Sequence, residues 1–279
     1  MNTKMKLFSY NSVDTSIHRL SGLTKLICFL LLTFAVMFSY DIRVILAVMI
    51  FSIAVLMLSQ IRYSQIRLMI IYVFIFVLIN AVISFFFSPE QGVKIYGTRH
   101  DIANLYGDYK LTWEQIFYQV TKFFKYLSVI PLGIIFLLTT NPSEFASSLN
   151  GIGVNYKAAF AVALTLRYFP DVQRDYRDIS QAQQARGLEL SHKAKFVDRF
   201  KNSLLIVIPL IFSSLDRVET ISNAMDLRGF AKSETRTWYT SKKLTSADYT
   251  ALVVSALIFV ITICVSVFIN HSRFYNPFI

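Results

Sequence analysis

Apolar residues fall along this chain in blocks, and the length of each block sorts it. Crossing about 30 Å of hydrocarbon takes roughly 20 mostly apolar residues in a helix, fewer where the flanks reach the interface. Five blocks meet that test. They are TKLICFLLLTFAVMFSY (Thr24 to Tyr40), VILAVMIFSIAVLMLS (Val44 to Ser59), LMIIYVFIFVLINAVISFFF (Leu68 to Phe87), a stretch from about Ile116 to Leu138, and TALVVSALIFVITICVSVFI (Thr250 to Ile269). Two further blocks are too short. AAFAVALTL (Ala158 to Leu166) is fenced by Lys157 and Arg167, while SLLIVIPLIFSSL (Ser203 to Leu215) contains Pro209 and reaches only about 20 Å. Both read as hydrophobic helices that lie in the interface or pack beneath the membrane. The expected fold is an all-α polytopic membrane protein with about five transmembrane helices. Four of these and an N-terminal tail occupy 1–140, a cytoplasmic or interfacial helical block occupies 141–247, and the last span occupies 248–279. The loop at 88–113, with KIYGTRH and GDYKLT between turn residues, suits a short external hairpin and a solvated loop equally well.

Composition agrees with a membrane setting. Apolar residues make up 54% of the 279, with 25 Phe and 15 Tyr, and charged residues only 16%, against about 25% in soluble domains. The first apolar block lacks a small-residue cleavage site and reads as an anchor. Cys28 and Cys264 each lie inside an apolar block, as small hydrophobes and not as a disulfide or metal pair. A net charge of +11 could signal nucleic acid, anionic lipid, or an orientation signal with an acidic protein partner. No nucleic-acid-binding motif accompanies it. Most basic residues lie between Asn141 and Lys243, interleaved with Asp and Glu, as on a cytoplasmic surface. The short loops are nearly balanced: Lys4, Lys6, Arg19, Lys25, Arg62 and Arg67 on one side, Arg43, Lys94, Arg99 and Lys110 on the other, these last offset by Glu90, Asp101, Asp108 and Glu114. The basic block tips the reading to a cytoplasmic N-terminus and an external C-terminus.

Within that block the chain nearly repeats itself. Ile179-Ser180-Gln181-Ala182 aligns with Ile221-Ser222-Asn223-Ala224, and both run on through three residues to Arg-Gly, at Arg186-Gly187 and Arg228-Gly229, followed by Leu188 or Phe230. Val172, Tyr176, Ile179, Gln183 and Arg186 share one helix face, as do Val218, Ile221, Met225 and Arg228. Gly just past a last helical residue is a left-handed C-cap, and Arg in a final turn meets the negative end of the helix dipole. Either ending alone is an ordinary helix terminus. As a pair, two guanidiniums sent past two similar helix ends suit a partner with two similar acidic sockets, such as a dimer.

Chemistry of other kinds is missing from the sequence. There is no G-x-x-x-x-G-K-[ST] phosphate loop, no H-E-x-x-H and no Cys/His cluster; His18, His100, His192 and His271 are scattered. Gly151-Ile152-Gly153 turns the chain between helices. Neither a catalytic nor a metal site is expected. The first, third and fifth spans hold no ionisable residue in their apolar interiors, where ion-coupled carriers commonly place one. Asn80 is the only strongly polar residue of the third span. Lys122 and Lys125 could face a bundle interior, although snorkelling to the outer interface is the favoured reading.

NPSEFASSLNGIGV, ALTLRYFPDVQRDYRDISQAQQARGLEL and RVETISNAMDLRGF together resemble the transmembrane T component of energy-coupling factor transporters, the bacterial and archaeal vitamin and metal importers. The resemblance covers most of the chain. It implies a membrane part plus a cytoplasmic coupling domain of long helices whose two short Arg motifs dock into grooves of two ATP-binding-cassette subunits, or of one fused ATPase. Here those motifs are Ala185, Arg186 and Gly187, then Leu227, Arg228 and Gly229. The second often reads Ala-Arg-Gly, so Leu227 is a modest departure that leaves Arg and Gly intact. The resemblance further implies that ATP and Mg are bound by the partner ATPases and no cofactor by this chain. Substrate would be captured by a separate membrane protein, the S component, lying against the two short apolar blocks. Ala158, Phe160, Val162, Leu164, Leu205, Val207 and Leu210 are the expected contacts. The implied setting is the cell membrane, in contact with the lipid bilayer and with no nucleic-acid partner. The competing readings are the permease subunit of a conventional ATP-binding-cassette importer, which would need no S component, and a membrane-embedded enzyme, which would need polar residues clustered in one span. A self-sufficient secondary carrier would work without any ATPase.

Overall fold

The computed structural model describes residues 15–61, 63–106, 109–188, 196–230, 232 and 237–278. Lys4, Lys6, Arg62, Asp108 and His192 lie outside them. Helices α1 (Ser16–Arg19), α2 (Gly22–Phe38), α3 (Ile42–Leu58), α4 (Tyr63–Phe87) and α5 (Gln91–Tyr96) lead to strands β1 (Asp101–Tyr106) and β2 (Tyr109–Thr112). Helices α6 (Trp113–Thr139), α7 (Pro142–Gly151), α8 (Tyr156–Ala185), α9 (Phe196–Leu227) and α10 (Ser246–Cys264) follow, and a π turn extends α10 through Val265–Ile269. The protein is an all-α polytopic membrane protein with one small hairpin. Two compact units divide it: 1–141 with 242–279, and 142–241.

Among the described residues of the first unit, three helices are long and apolar enough to cross a membrane, at Ile66–Phe87, Trp113–Thr139 and Ser246–Ile269. Helices α2 and α3 are shorter, at 17 residues each, or about 25 Å. Helix ends inside an apolar layer leave carbonyls that lipid cannot satisfy. Two lysines meet this need. Lys125 of α6 donates from Nζ to the carbonyls of Met37 (2.6 Å) and Ser39 (3.2 Å) at the end of α2. Lys25 of α2 donates to the carbonyl of Thr139 (2.8 Å), the last residue of α6, and to that of His18 (3.1 Å). Each lysine thus caps the other's helix, and their positive charge opposes the dipole's negative end. Lys125 is buried with its ammonium 3.3 Å from the Tyr40 ring centre. The expected snorkelling does not hold for it, because the α2 carbonyls offer nearer acceptors than the interface. Between the two caps Phe29 stacks on Phe136, 5.0 Å between centroids, which completes an antiparallel α2–α6 pair.

Helix α10 runs parallel to α2. The Asp248 carboxylate accepts from the backbone N–H of Thr245 (2.8 Å) and of Ser21 (2.8 Å), so one carboxylate serves the N-termini of both helices. Farther along, Ser255 donates to Cys28 Sγ (3.3 Å), a thiol that points at the Ala251 carbonyl (3.5 Å). At the other end the residues after α10 turn back over the bundle. Tyr40 donates its N–H to the Arg273 carbonyl (2.7 Å) and stacks on Phe274, while Asn270 donates to Asp41 Oδ2 (2.9 Å). Burial acts to raise the Asp41 carboxyl, but the hydrogen bonds from Arg43 and Asn270 outweigh it and hold the group below its ordinary value.

The loop at 88–113 is a short helix and a hairpin. β1 and β2 pair antiparallel, Asp101 opposite Thr112 and Tyr106 opposite Tyr109. Glu114, in the first turn of α6, accepts from the backbone N–H of His100 (3.1 Å) and bonds its Nδ1 (2.6 Å). Gly92 lets α5 lie directly on α6: a Cβ there would stand 2.5 Å from backbone atoms of Glu114 and Gln115. Its N–H donates to Gln115 Oε1 (2.7 Å), whose amide nitrogen donates to the Ser88 carbonyl (3.2 Å).

The reciprocal caps make Lys125→Met costly, since two buried carbonyls lose their donor; about 2 kcal/mol is expected, measured by thermal unfolding in detergent, while half-buried Lys122→Met changes little. Gly92→Ala forces α5 off α6 and is expected to cost about 2–3 kcal/mol as an overpacked contact, visible in the same assay.

Candidate functional site: two arginine-capped helix ends

The second unit is built on α8 and α9, of 30 and 32 residues. The two short apolar blocks are not separate helices. Each is continuous with a polar segment, and Arg167, Pro170 and Pro209 all lie inside helix. Arg167 bounds the first apolar run and Pro209 lies within the second, yet a charge ends an apolar run without ending a helix, and a proline removes only one ladder hydrogen bond. Before α8, the chain turns at Gly153, whose φ of +103° suits glycine.

The two helices run antiparallel across each other. Arg217 of α9 bonds Asp175 of α8 at 2.6 Å, and Phe230, just past α9, packs on Phe160 near the start of α8 at 4.7 Å between centroids. Tyr156 and Trp238 join this aromatic clamp, and the Trp238 indole N–H donates to Asn150 Oδ1 (3.0 Å).

The two Arg-Gly strings end α8 and α9 in the same way. Arg186 is the last residue before the turn, Gly187 takes φ +92°, its N–H bonds the Gln184 carbonyl (3.0 Å), and the Leu188 N–H bonds the Gln183 carbonyl (3.1 Å). At the second end Gly229 takes φ +65°, its N–H bonds the Asp226 carbonyl (2.9 Å), and the Phe230 N–H bonds the Met225 carbonyl (2.9 Å). Both are complete Schellman caps. A left-handed residue at each C′ position explains both glycines. It does not explain the arginines: both are exposed, and neither guanidinium makes a hydrogen bond or ion pair among the described residues. Ala185 and Gly187 are exposed, Leu227 is 90% exposed and Gly229 is half-buried, so each cap presents its arginine with the residue before it.

Because the helices are antiparallel, the two caps point away from each other. Arg186 lies 11 residues beyond Asp175 and Arg228 lies 11 beyond Arg217, so each arm is about 16 Å long and the arginines stand roughly 35 Å apart.

The residues expected to meet a membrane partner divide. Ala158, Leu205 and Val207 are exposed; Val162, Leu164 and Leu210 are half-buried. Phe160 is turned into the aromatic clamp. A larger apolar surface lies on α9. Leu204, Ile208, Ile211, Leu215 and Val218 are all exposed at 4-3-4-3 spacing, on the side of α9 opposite buried Ile206 and Arg217. That spacing is visible in the sequence once the block is not ended at Leu215. No group of three or more His, Cys, Asp or Glu among the described residues is placed to hold a metal.

Comparison with known proteins gives this geometry its context. Residues 14–239 match the family model described as CbiQ, cobalt transport protein. A relative in Lactococcus lactis subsp. cremoris is 27% identical over 92% of this chain and 96% of its own length; it is described as an energy-coupling factor transporter transmembrane protein. Relatives of the same description in Clostridium kluyveri (23%, covering 91% of this chain and 92% of theirs) and Thermotoga maritima (25%, 90% and 91%) are equally collinear. With two matched caps and two of its three membrane-length helices inside the region of the match, the chain belongs to the CbiQ cobalt transport protein family and is a transmembrane component of an energy-coupling factor transporter.

Proposed function

We propose that this chain transmits the motion of two cytoplasmic ATP-binding-cassette subunits, or of one fused ATPase, to a membrane-embedded S component that carries a vitamin or related micronutrient inward. Arg186 and Arg228 dock the chain on the ATPases, with Ala185, Gly187, Leu227 and Gly229 filling the rest of each contact. ATP and Mg are held by the partners, and this chain carries out no hydrolysis. The α8–α9 unit and the N-terminus face the cytoplasm, and the C-terminus faces outward.

One observation carries this reading: two helix ends with the same cap, each offering an exposed guanidinium, at opposite extremes of one antiparallel pair. A planar fork that stays charged when desolvated suits an acidic groove, and two of them roughly 35 Å apart suit a partner with two equivalent grooves. The exposed apolar row of α9, from Leu204 to Val218, with Ala158, Leu205 and Val207, offers a greasy surface of the kind that meets a membrane partner. ATP binding would bias the system only through a difference in binding energy between two arrangements of the ATPases, which the two arginines would pass to α8 and α9.

Co-expression with the ATPases, followed by purification on this chain in detergent, tests the docking. Wild type is expected to retain them and Arg186→Glu plus Arg228→Glu to lose them, because each reversal places like charges at a desolvated contact and costs several kcal/mol. Each single reversal is expected to give partial retention. ATPases held equally well by the double reversal would reduce the two endings to simple helix caps.

A further inference from the structure

Arg217 and Asp175 occupy equivalent positions in the two halves of the repeat. The alignment that sets Arg186 on Arg228 sets Asp175 on Arg217 and Arg174 on Asp216, so an Arg-Asp pair in α8 faces the reverse order, Asp-Arg, in α9. Two antiparallel helices that touch at equivalent residues are related by a local twofold axis through the contact. Such an axis brings each side chain against its own counterpart, and identical charges there would repel. The reversed order replaces that repulsion with an ion pair.

The contact is built for direction as well as charge. The Arg217 guanidinium reaches Asp175 Oδ2 at 2.6 Å through Nη2 and Asp171 Oδ2 at 4.0 Å through Nη1. Its centre stands 6.0 Å from the Tyr168 ring. Tyr168, Asp171 and Asp175 follow at 3-4 spacing and form one face of α8. With 30% and 23% of their side chains exposed, Arg217 and Asp175 are screened less than a surface pair. The proline at 170 lies beside this cradle.

We infer that Arg217, through its fork onto Asp175 and Asp171, is the positioning residue that sets the crossing of α8 and α9, and with it the spacing of the two arginine caps. The caps end equal arms of 11 residues from this point, so a change of crossing angle at the ion pair changes the distance between them. The role in coupling rests on the docking proposed above; the role in spacing does not.

Spin labels at Gln184→Cys and Asp226→Cys, in full-length chain with Cys28 and Cys264 replaced by Ala, report the cap-to-cap distance by pulsed electron paramagnetic resonance. One narrow distribution is expected for the parent. Arg217→Asp is expected to shift or broaden it by 5 Å or more, and adding Asp175→Arg to restore it. Arg217→Gln, which removes the charge without adding repulsion, is expected to fall between them and supplies the measurement if the reversal does not fold. A distribution unchanged in Arg217→Gln, or a charge swap that fails to restore it, overturns the inference. In the assembled complex Arg217→Gln is expected to keep the ATPases bound while substrate uptake per ATP hydrolysed falls several-fold; a normal ratio despite altered spacing would remove the coupling role. The distance is read on this chain alone, so it stands or fails separately from the retention of ATPases by the arginine caps.

Discussion

A helix that ends within an apolar layer must find donors for its last carbonyls, and the membrane unit is organised around that demand. Lys125 supplies them to α2 and Lys25 supplies them to α6. The exchange fixes the two helices antiparallel and sets their offset, since each ammonium reaches only one turn. The 17-residue α2 thus ends on carbonyls met by a buried ammonium. Much of the remaining unit refers to this pair: α10 joins α2 through Asp248, and the segment after α10 closes over Tyr40 and Asp41.

The second unit uses charge differently. In α8 and α9 the ionic contact that matters is side chain to side chain, in the middle of two long helices, while the ends keep their guanidiniums exposed. Backbone carbonyls at those ends are already satisfied by the glycine turns. The arginines are thereby released from capping work. A cap that needed its arginine could not also offer it to another protein, so the left-handed glycines and the exposed arginines belong to one arrangement.

The outward face of α9 shows how burial and exposure divide one helix. Ile206 is fully buried while Leu204 and Ile208, two residues to either side, are about half exposed. At 100° per residue those neighbours lie nearly opposite it. An apolar row left exposed on a helix that already buries its other face is the pattern of a surface that meets apolar material.

Length and periodicity are local properties, and they were enough to mark the apolar helices, the all-α class and the two glycine-ended strings. All five apolar blocks are helical, but only three of the described helices are long and apolar enough to cross a membrane, with α2 and α3 shorter; Gly187 and Gly229 could be read as caps because a left-handed turn is decided within six residues. What the sequence alone did not decide was where the long-range partners lie. Lys125 has carbonyls within reach only because residue 37 is folded back beside it, and Lys25 depends in the same way on residue 139. The hairpin at 101–112 was balanced against a plain loop until Glu114 and the α5–α6 contact held it in place. The continuity of α8 and α9 through Arg167, Pro170 and Pro209 does not follow from the apolar runs, because a charge ends a run without ending a helix and a proline removes only one ladder hydrogen bond. The repeat was visible as a string, but its meaning as a twofold crossing was not. Only the antiparallel packing of α8 on α9 brings Asp175 to Arg217, and two charges gain their attraction from proximity that no local pattern encodes.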